Sequence, residues 1–454
     1  MDTTATQLDS SGPSSHNDDG ALSSSIDPNQ YERDPVHDSK ERSKARYIGI
    51  DIARFLAIVG MISVHLVAIQ VNYPDVSAFE LRAAHLSEMI AGGTSAALFA
   101  VLGGVSTVFA TRRLLGQGRV GSAMLAVVVR GLVLIVIGLL LGLIPGSIAV
   151  VLTYYGLSMI LVAPLLTAPN WLLAGLAGVL AVVVGPLNAM VRTSLGIVMD
   201  TGGMTFGSLL ADPVASLRGL LLTGIYPAAT WCVYLMVGVM IGRFVVSADA
   251  RDRLKNAAAT LTAIGTAMAI LAGLISAYVF SHLDQFGFVG FPGMTPDEQN
   301  ALLLGSSFGA PVSSDLWAQL LATPHSGSVI DVLYTVGSSL AIIGLMVLLF
   351  DVAMVGQSNR MVEIVRCAGA APLTIYSLHV IVSGVLLLTA ILGMPESGEF
   401  VIPWWAAGTK IFAVQVLGAL MIGAVLAVMK RKGPLEALMS RIVRRAVEKP
   451  GGGQ

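Results

Sequence analysis

The sequence predicts an all-α fold: a polytopic integral membrane helix bundle of about ten transmembrane helices with N and C termini cytoplasmic. Three observations predict it. Apolar residues make up 55% of the 454 positions and charged ones 12%, where soluble domains carry roughly a quarter charged, and the mean hydropathy is +0.77. Apolar runs of roughly 18 residues or more, long enough to cross a hydrocarbon core, recur along the chain. Lys and Arg gather on one side when those runs are threaded through a membrane.

The runs are Ile48–Val71, Ile90–Arg112, Ser122–Leu143, Pro145–Leu166, Trp171–Met190, Arg218–Val246, Ala257–Phe280, Ser328–Phe350, Cys367–Leu392 and Trp404–Met429. The continuous stretch from Ser122 to Leu166 is too long for one crossing, so it is divided at Pro145-Gly146. With the N terminus inside, 21 of the 27 Lys and Arg fall on cytoplasmic segments, among them Arg112, Arg113, Arg119, Arg243, Arg251 and Arg366. Only Arg82, Arg192, Arg218 and Lys410 face the opposite side, and Arg54 and Arg130 lie within spans. The net charge of −1 hides this asymmetry.

Three regions follow: a disordered cytoplasmic tail over 1–45, a transmembrane domain over 46–430 and a basic cytoplasmic tail over 431–454. The first is rich in Ser, Asp and Pro and lacks an apolar stretch, so it does not read as a signal peptide. The last places Leu435, Leu438 and Ile442 at helical spacing among basic residues, either a short helix lying on anionic lipid or a solvated stop-transfer tail. The longest outer loop, Ser281 to Gly327, contains Pro, Gly and Trp317 and could partly cover a site. Cys232 and Cys367 fall in separate spans without CxxC spacing, so inert, packed thiols are expected and no metal. Gly138 with Gly142, and Gly238 with Gly242, put small residues one turn apart, where helices approach closely in lipid.

Ionisable groups at span depth cost at least a few kcal/mol each and generally face a partner or a wet cavity. At 100° per residue, Asp51, Arg54 and His65 fall within about 60° of one another, with Arg54 and His65 about 16 Å apart along the axis. Asp51 and Arg54 form an i,i+3 pair that either pins the helix end or, with Arg130 of the third span, holds a phosphate. In the ninth span Pro372, Tyr376, His379 and Ser383 make one polar stripe. His379 serves either as a hydrogen bond to a neighbouring helix or, with His65, as an acid/base pair. On the outer side, His325 precedes the eighth span near Ser326, Ser328 and Asp331, and His85 precedes the second span beside Glu88.

The stretch "DIARFLAIVGMISVH" resembles the "D-x-x-R-G-x-A" opening of the heparan-alpha-glucosaminide N-acetyltransferase-like transmembrane acyltransferases and of related bacterial multi-pass families of unknown function. "SAALFAVLGGVS", "TPHSG", "APLTIYSLHV" and "GPLE" resemble further segments of those bacterial relatives in the same order, so the likeness runs from Arg46 to about Leu438. Phe55 departs from the family's usual Gly, and the family's catalytic histidine lies between its early spans, where His85 is the positional match. The resemblance implies an acyl-CoA-dependent O- or N-acyltransferase of the cell membrane. It would move an acyl group, acetyl first among them, from cytoplasmic acyl-CoA to an envelope glycan or lipid acceptor on the far side. Asp51, Arg54 and Arg130 would then hold the co-substrate, and His65, His379, His325 or His85 would act as base or nucleophile. Membrane lipid is the other expected contact, no nucleic acid is expected, and a homodimer is compatible. Two rival readings use the same residues: a transporter or lipid exporter with a proton relay, and a non-catalytic partner in an envelope-synthesis complex. The enzyme reading expects a continuous water-accessible slot joining the two ends.

Overall fold

The computed structural model describes residues 47–72, 76–144, 148–198, 203–356, 358–393 and 403–448. The tail over 1–45 and the Pro145-Gly146 division lie outside these residues. Among the described residues the chain is helical, with no strand. In order the helices are α1 (Ile48–Leu66), α2 (Ala78–Ala91), α3 (Thr94–Gly116), α4 (Val120–Leu141), α5 (Leu152–Val162), α6 (Asn170–Leu195), α7 (Phe206–Ala211), α8 (Pro213–Arg218) and α9 (Ala228–Asp249). They continue as α10 (Leu254–Ser281), α11 (Pro296–Leu304), α12 (Leu316–Gln319), α13 (Val329–Val347), α14 (Arg360–Gly369), α15 (Pro372–Leu392), α16 (Thr409–Met429) and α17 (Pro434–Val447).

Nine helical runs among the described residues are long and apolar enough to cross a membrane. The expected fourth span is a shorter apolar run, Leu152–Thr167, whose last turn tightens into a 3₁₀ helix at Pro164. Four other expected bounds shift for local reasons. The second span starts at Thr94, because Gly92 and Gly93 break it from α2 and Gly93 takes φ +66°. The sixth starts at Ala228, after Pro227 ends a loop and leaves the last helical turn before it π-wound over Gly219–Thr223. The ninth is two helices: Pro372 lacks the N–H that would continue α14, and it occupies the first turn of α15 instead. The tenth starts at Thr409, where Gly408 takes φ +109°.

α1 is the axis of the bundle, packing on α3, α13, α14 and α16. Its residues Ile50, Ile58 and Ile62 are buried against a core that also holds Leu98, Leu102, Leu235 and Met236. Small residues let the helices come this close, as lipid-embedded bundles require. A Cβ on Gly104 would stand 2.8 Å from the Gly238 Cα, so α3 and α9 meet backbone to backbone there. The expected pair on α4 is engaged too, with Gly138 against Thr153 of α5 and Gly142 against Met204. On the long connection between α10 and α13, Phe288, Phe291 and Trp317 pack into a separate aromatic cluster.

Candidate functional site

α1, α15 and α16 converge at the His65 end of α1. There His65 Nδ1 lies 3.0 Å from His379 Nε2, the two rings nearly coplanar with centroids 5.3 Å apart. His379 Nδ1 lies 2.6 Å from Gln415 Oε1, and Gln415 Nε2 donates to Ser383 Oγ at 2.9 Å. The Ser383 hydroxyl is itself 3.3 Å from His379 Nδ1.

The orientation of the Gln415 amide, oxygen toward His379 and nitrogen toward Ser383, decides the tautomers. A carboxamide oxygen only accepts, so His379 Nδ1 carries the proton and its Nε2 is the lone pair. His65 must then donate from Nδ1, and its Nε2 is left as a free acceptor. His379 is 4% exposed, whereas His65 is half-buried and lines a cavity with Ile69, Ile148, Leu387 and Ala406. The chain therefore ends in an acceptor nitrogen on a residue that lines a cavity.

The remaining expected residues on this side divide. Ser383 is in the network, but Tyr376 of the same stripe is not: its hydroxyl accepts from Val151 N–H at 3.2 Å and ties α15 to the start of α5. His325, at φ +59°, stands edge-on to Tyr226 with ring centroids 5.6 Å apart, in a pocket with Trp231, Tyr234 and Asp331. Burial pushes its imidazole down to about 4, so it is neutral at neutral pH. It lies within electrostatic range of His65. Ser328 caps α13 by accepting from Asp331 N–H, while Asp331 Oδ2 accepts from Gly327 N–H. His85 is exposed on α2 and is not brought to the other histidines.

At the other end of α1, Asp51 is 1% exposed and pairs with Arg54, which also donates to Ser106 Oγ at 2.8 Å. Arg130 lies within electrostatic range of Arg54 and Tyr155, and its Nε is buried without a hydrogen-bond partner. Arg366 in turn feels Asp51. Two acids that the sequence analysis did not single out complete this end. Asp351 accepts from the Ile48 and Gly49 N–H groups at 2.7 and 2.9 Å, which satisfies the first turn of α1. Asp249 accepts from the Tyr47 hydroxyl at 2.8 Å, and burial together with that bond raises the phenol above its ordinary range. The charged turn is thus a polar nest in which Arg54 and Arg130 lie within electrostatic range of each other.

Among the described residues, packed side chains fill the face of α1 between the two ends. On the face of α1 between them lie Ile58, Met61 and Ile62, exposed by 1%, 5% and 1%. Beside them runs a belt of ring contacts from Tyr376 through Phe99, Tyr155, Trp231 and Tyr226 to His325. The expected passage is closed by aliphatic and aromatic side chains, and a ligand reaching both ends has to displace them.

Besides Asp351 and Asp249, sequence reasoning missed Gln415. Beyond Thr409 and Lys410 in the first turn it is the one polar side chain of α16, and an inspection of ionisable groups passes over it.

Residues 46–281, just over half the chain, match the family model for the catalytic region of heparan-alpha-glucosaminide N-acetyltransferase. The match takes in Asp51, Arg54, His65, His85 and Arg130 and stops short of His325, His379 and Gln415. No curated protein matches the chain.

Proposed function

Because the chain belongs to the heparan-alpha-glucosaminide N-acetyltransferase family of membrane acetyltransferases, we propose that it moves acetyl from cytoplasmic acetyl-CoA to the hydroxyl or amine of a cell-envelope glycan or glycolipid. The observation that carries this is the Gln415–His379–His65 chain, which ends in an oriented acceptor nitrogen. The nest at the Asp51 end supplies the donor side, where Arg54 and Arg130 offer planar guanidinium groups to the phosphates of the nucleotide. The excess of Lys and Arg on the loops at that end supports a cytoplasmic location for it.

His65 Nε2 takes the proton of the acceptor as its oxygen or nitrogen attacks the thioester carbonyl. His379 accepts from His65 Nδ1–H and steadies the imidazolium that forms, while Gln415 holds His379 in the tautomer that can do so. The new C–O or C–N bond forms, the C–S bond breaks, and the proton on His65 passes to the departing thiolate. Gln415 and His379 are positioning residues here and His65 is the catalytic one. The closed septum at Ile58, Met61 and Ile62 must open to admit the pantetheine arm, so binding of donor and opening of the bundle are one event.

Gln415 provides the test. Gln415→Leu removes the acceptor at His379 Nδ1 and is expected to lower kcat about tenfold or more with little change in KM for acetyl-CoA. Gln415→Glu keeps an oxygen acceptor there and is expected to restore most of the rate. Equal rates in the wild type and in the leucine variant would remove the chain from the mechanism.

A further inference from the structure

We propose that α17 is a docking surface for anionic phospholipid headgroups, and that seating it there holds α15 in the register that presents His379. The last transmembrane run ends at Met429, and Lys430, Arg431 and Lys432 follow at once, all exposed. α17 begins two residues later with an apolar side of Leu435, Met439 and Val443, which packs into the main core. At 100° per residue Arg441, Arg444 and Arg445 lie on the far side, and all three are exposed. Glu448 meets Arg444 only at 4.0 Å, so the surface keeps a clear excess of positive charge. Leu438, 43% exposed, sits next to Arg445 around the helix, about 20° beyond it on the side away from Arg441, where it can enter the acyl boundary. A row of cations and one apolar side chain at the end of a membrane-crossing run complement a negatively charged bilayer surface.

The link to α15 is specific. The N terminus of α15 has no cap of its own, since Ala371 offers no side-chain acceptor. Glu436 of α17 supplies it: one carboxylate oxygen accepts from Leu373 N–H at 2.7 Å and Thr374 N–H at 3.0 Å, and the other from the Thr374 hydroxyl at 2.6 Å. Leu435 N–H donates back to Thr374 Oγ1 at 3.2 Å. The two helices are thus capped as a pair. At its far end α17 is held by Arg119, whose guanidinium donates to Val447 O at 3.0 Å. His379 lies less than two turns beyond Thr374, so a tilt of α17 that pulls Glu436 away frees the end of the helix that carries it. The lipid-binding part of this proposal is independent of the acetyltransferase reading, and its effect on His379 rests on it.

The experiment uses the purified full chain with a fluorescent phosphatidylglycerol, read by anisotropy, and with labelled acetyl transfer in nanodiscs of phosphatidylcholine with or without phosphatidylglycerol. At about fivefold in affinity per cation near an anionic surface, the triple variant R441Q/R444Q/R445Q is expected to weaken phosphatidylglycerol binding on the order of 10²-fold. Its transfer rate in pure phosphatidylcholine should match the wild type, but the rise that phosphatidylglycerol gives the wild type should be lost. Glu436→Ala, which removes the acceptor from the Leu373 and Thr374 N–H groups, is expected to bind the lipid as the wild type does and to lose the same rise in transfer, which isolates the cap. Undiminished lipid binding in the triple variant, or equally tight binding of tripolyphosphate, would overturn the lipid assignment. Lipid binding without any transfer in either nanodisc would leave the docking surface standing and remove the acetyltransferase reading instead.

Discussion

Replacing His65 with alanine is expected to lower acetyl transfer in membranes by about 10²–10⁴-fold while the protein still accumulates and elutes as the wild type does. The size of the effect follows from position. His65 is the one member of the Gln415–His379–His65 chain with a nitrogen left over, and it is the member that lines a cavity. His379→Ala is expected to cost less, because the His65 nitrogen stays at the cavity and loses only the partner that fixes its tautomer. Removing His65 deletes a half-buried imidazole, whereas His379 is fully enclosed, so the larger fall in expression belongs to the second variant. Label transfer normalised to protein recovered by size exclusion separates activity from folding.

The second large effect concerns stability. Arg192, 8% exposed near the end of α6, donates Nη1 to Val198 O at 2.7 Å and Nη2 to Thr223 O, Gly224 O and Phe308 O at 2.8, 3.1 and 2.6 Å. Its Nε donates to Asn188 Oδ1 at 3.1 Å, and Asn188 in turn donates to Gly309 O at 2.8 Å. One side chain therefore ties α6 to the turn before α9 and to the long loop that leads to His325, since Gly309 N–H donates to His325 O at 3.0 Å. Hydrogen bonds to a charged donor are worth about 1.5–3 kcal/mol each, and the orphaned carbonyls pay their own desolvation cost. Arg192→Met is expected to destabilise the protein by about 3–5 kcal/mol and to lower its thermal midpoint in detergent. Arg192→Lys, which cannot reach several carbonyls in a plane, should recover only part of the loss. A midpoint unchanged in the methionine variant would show that the loops are held by other contacts.

Much of the fold was legible because hydropathy is additive along the chain: a run of some twenty apolar residues is a span whatever it packs against. The boundaries were harder, since they depend on where the backbone breaks. Pro372 was on view as the start of a polar stripe, yet its meaning as the first residue of a new helix depends on α14 ending one turn earlier. The Asp51–Arg54 pair was legible from i,i+3 spacing, which is a local fact. The meeting of His65 and His379 was only an expectation, because it joins helices 314 positions apart in sequence. Gln415 and Asp351 escaped for the same reason: each acts on a partner that sequence distance hides, and neither carries a motif. The expected open slot failed on packing, because Ile58 and Ile62 lie on the same face of α1 as the charged groups and fill the space between them.

The central claim is that acetyl passes from a donor held at the Asp51 end to an acceptor activated at the His65 end, across the closed centre of the bundle. It is tested by supplying labelled acetyl-CoA only outside proteoliposomes that enclose glucosamine and membrane glycolipid, and following label in the lumen. The account predicts acetylated product inside sealed vesicles, dependent on His65, with no acetyl-CoA entering. Product formed only where donor and acceptor share a compartment, or label transferred at the full rate by His65→Ala, would contradict it.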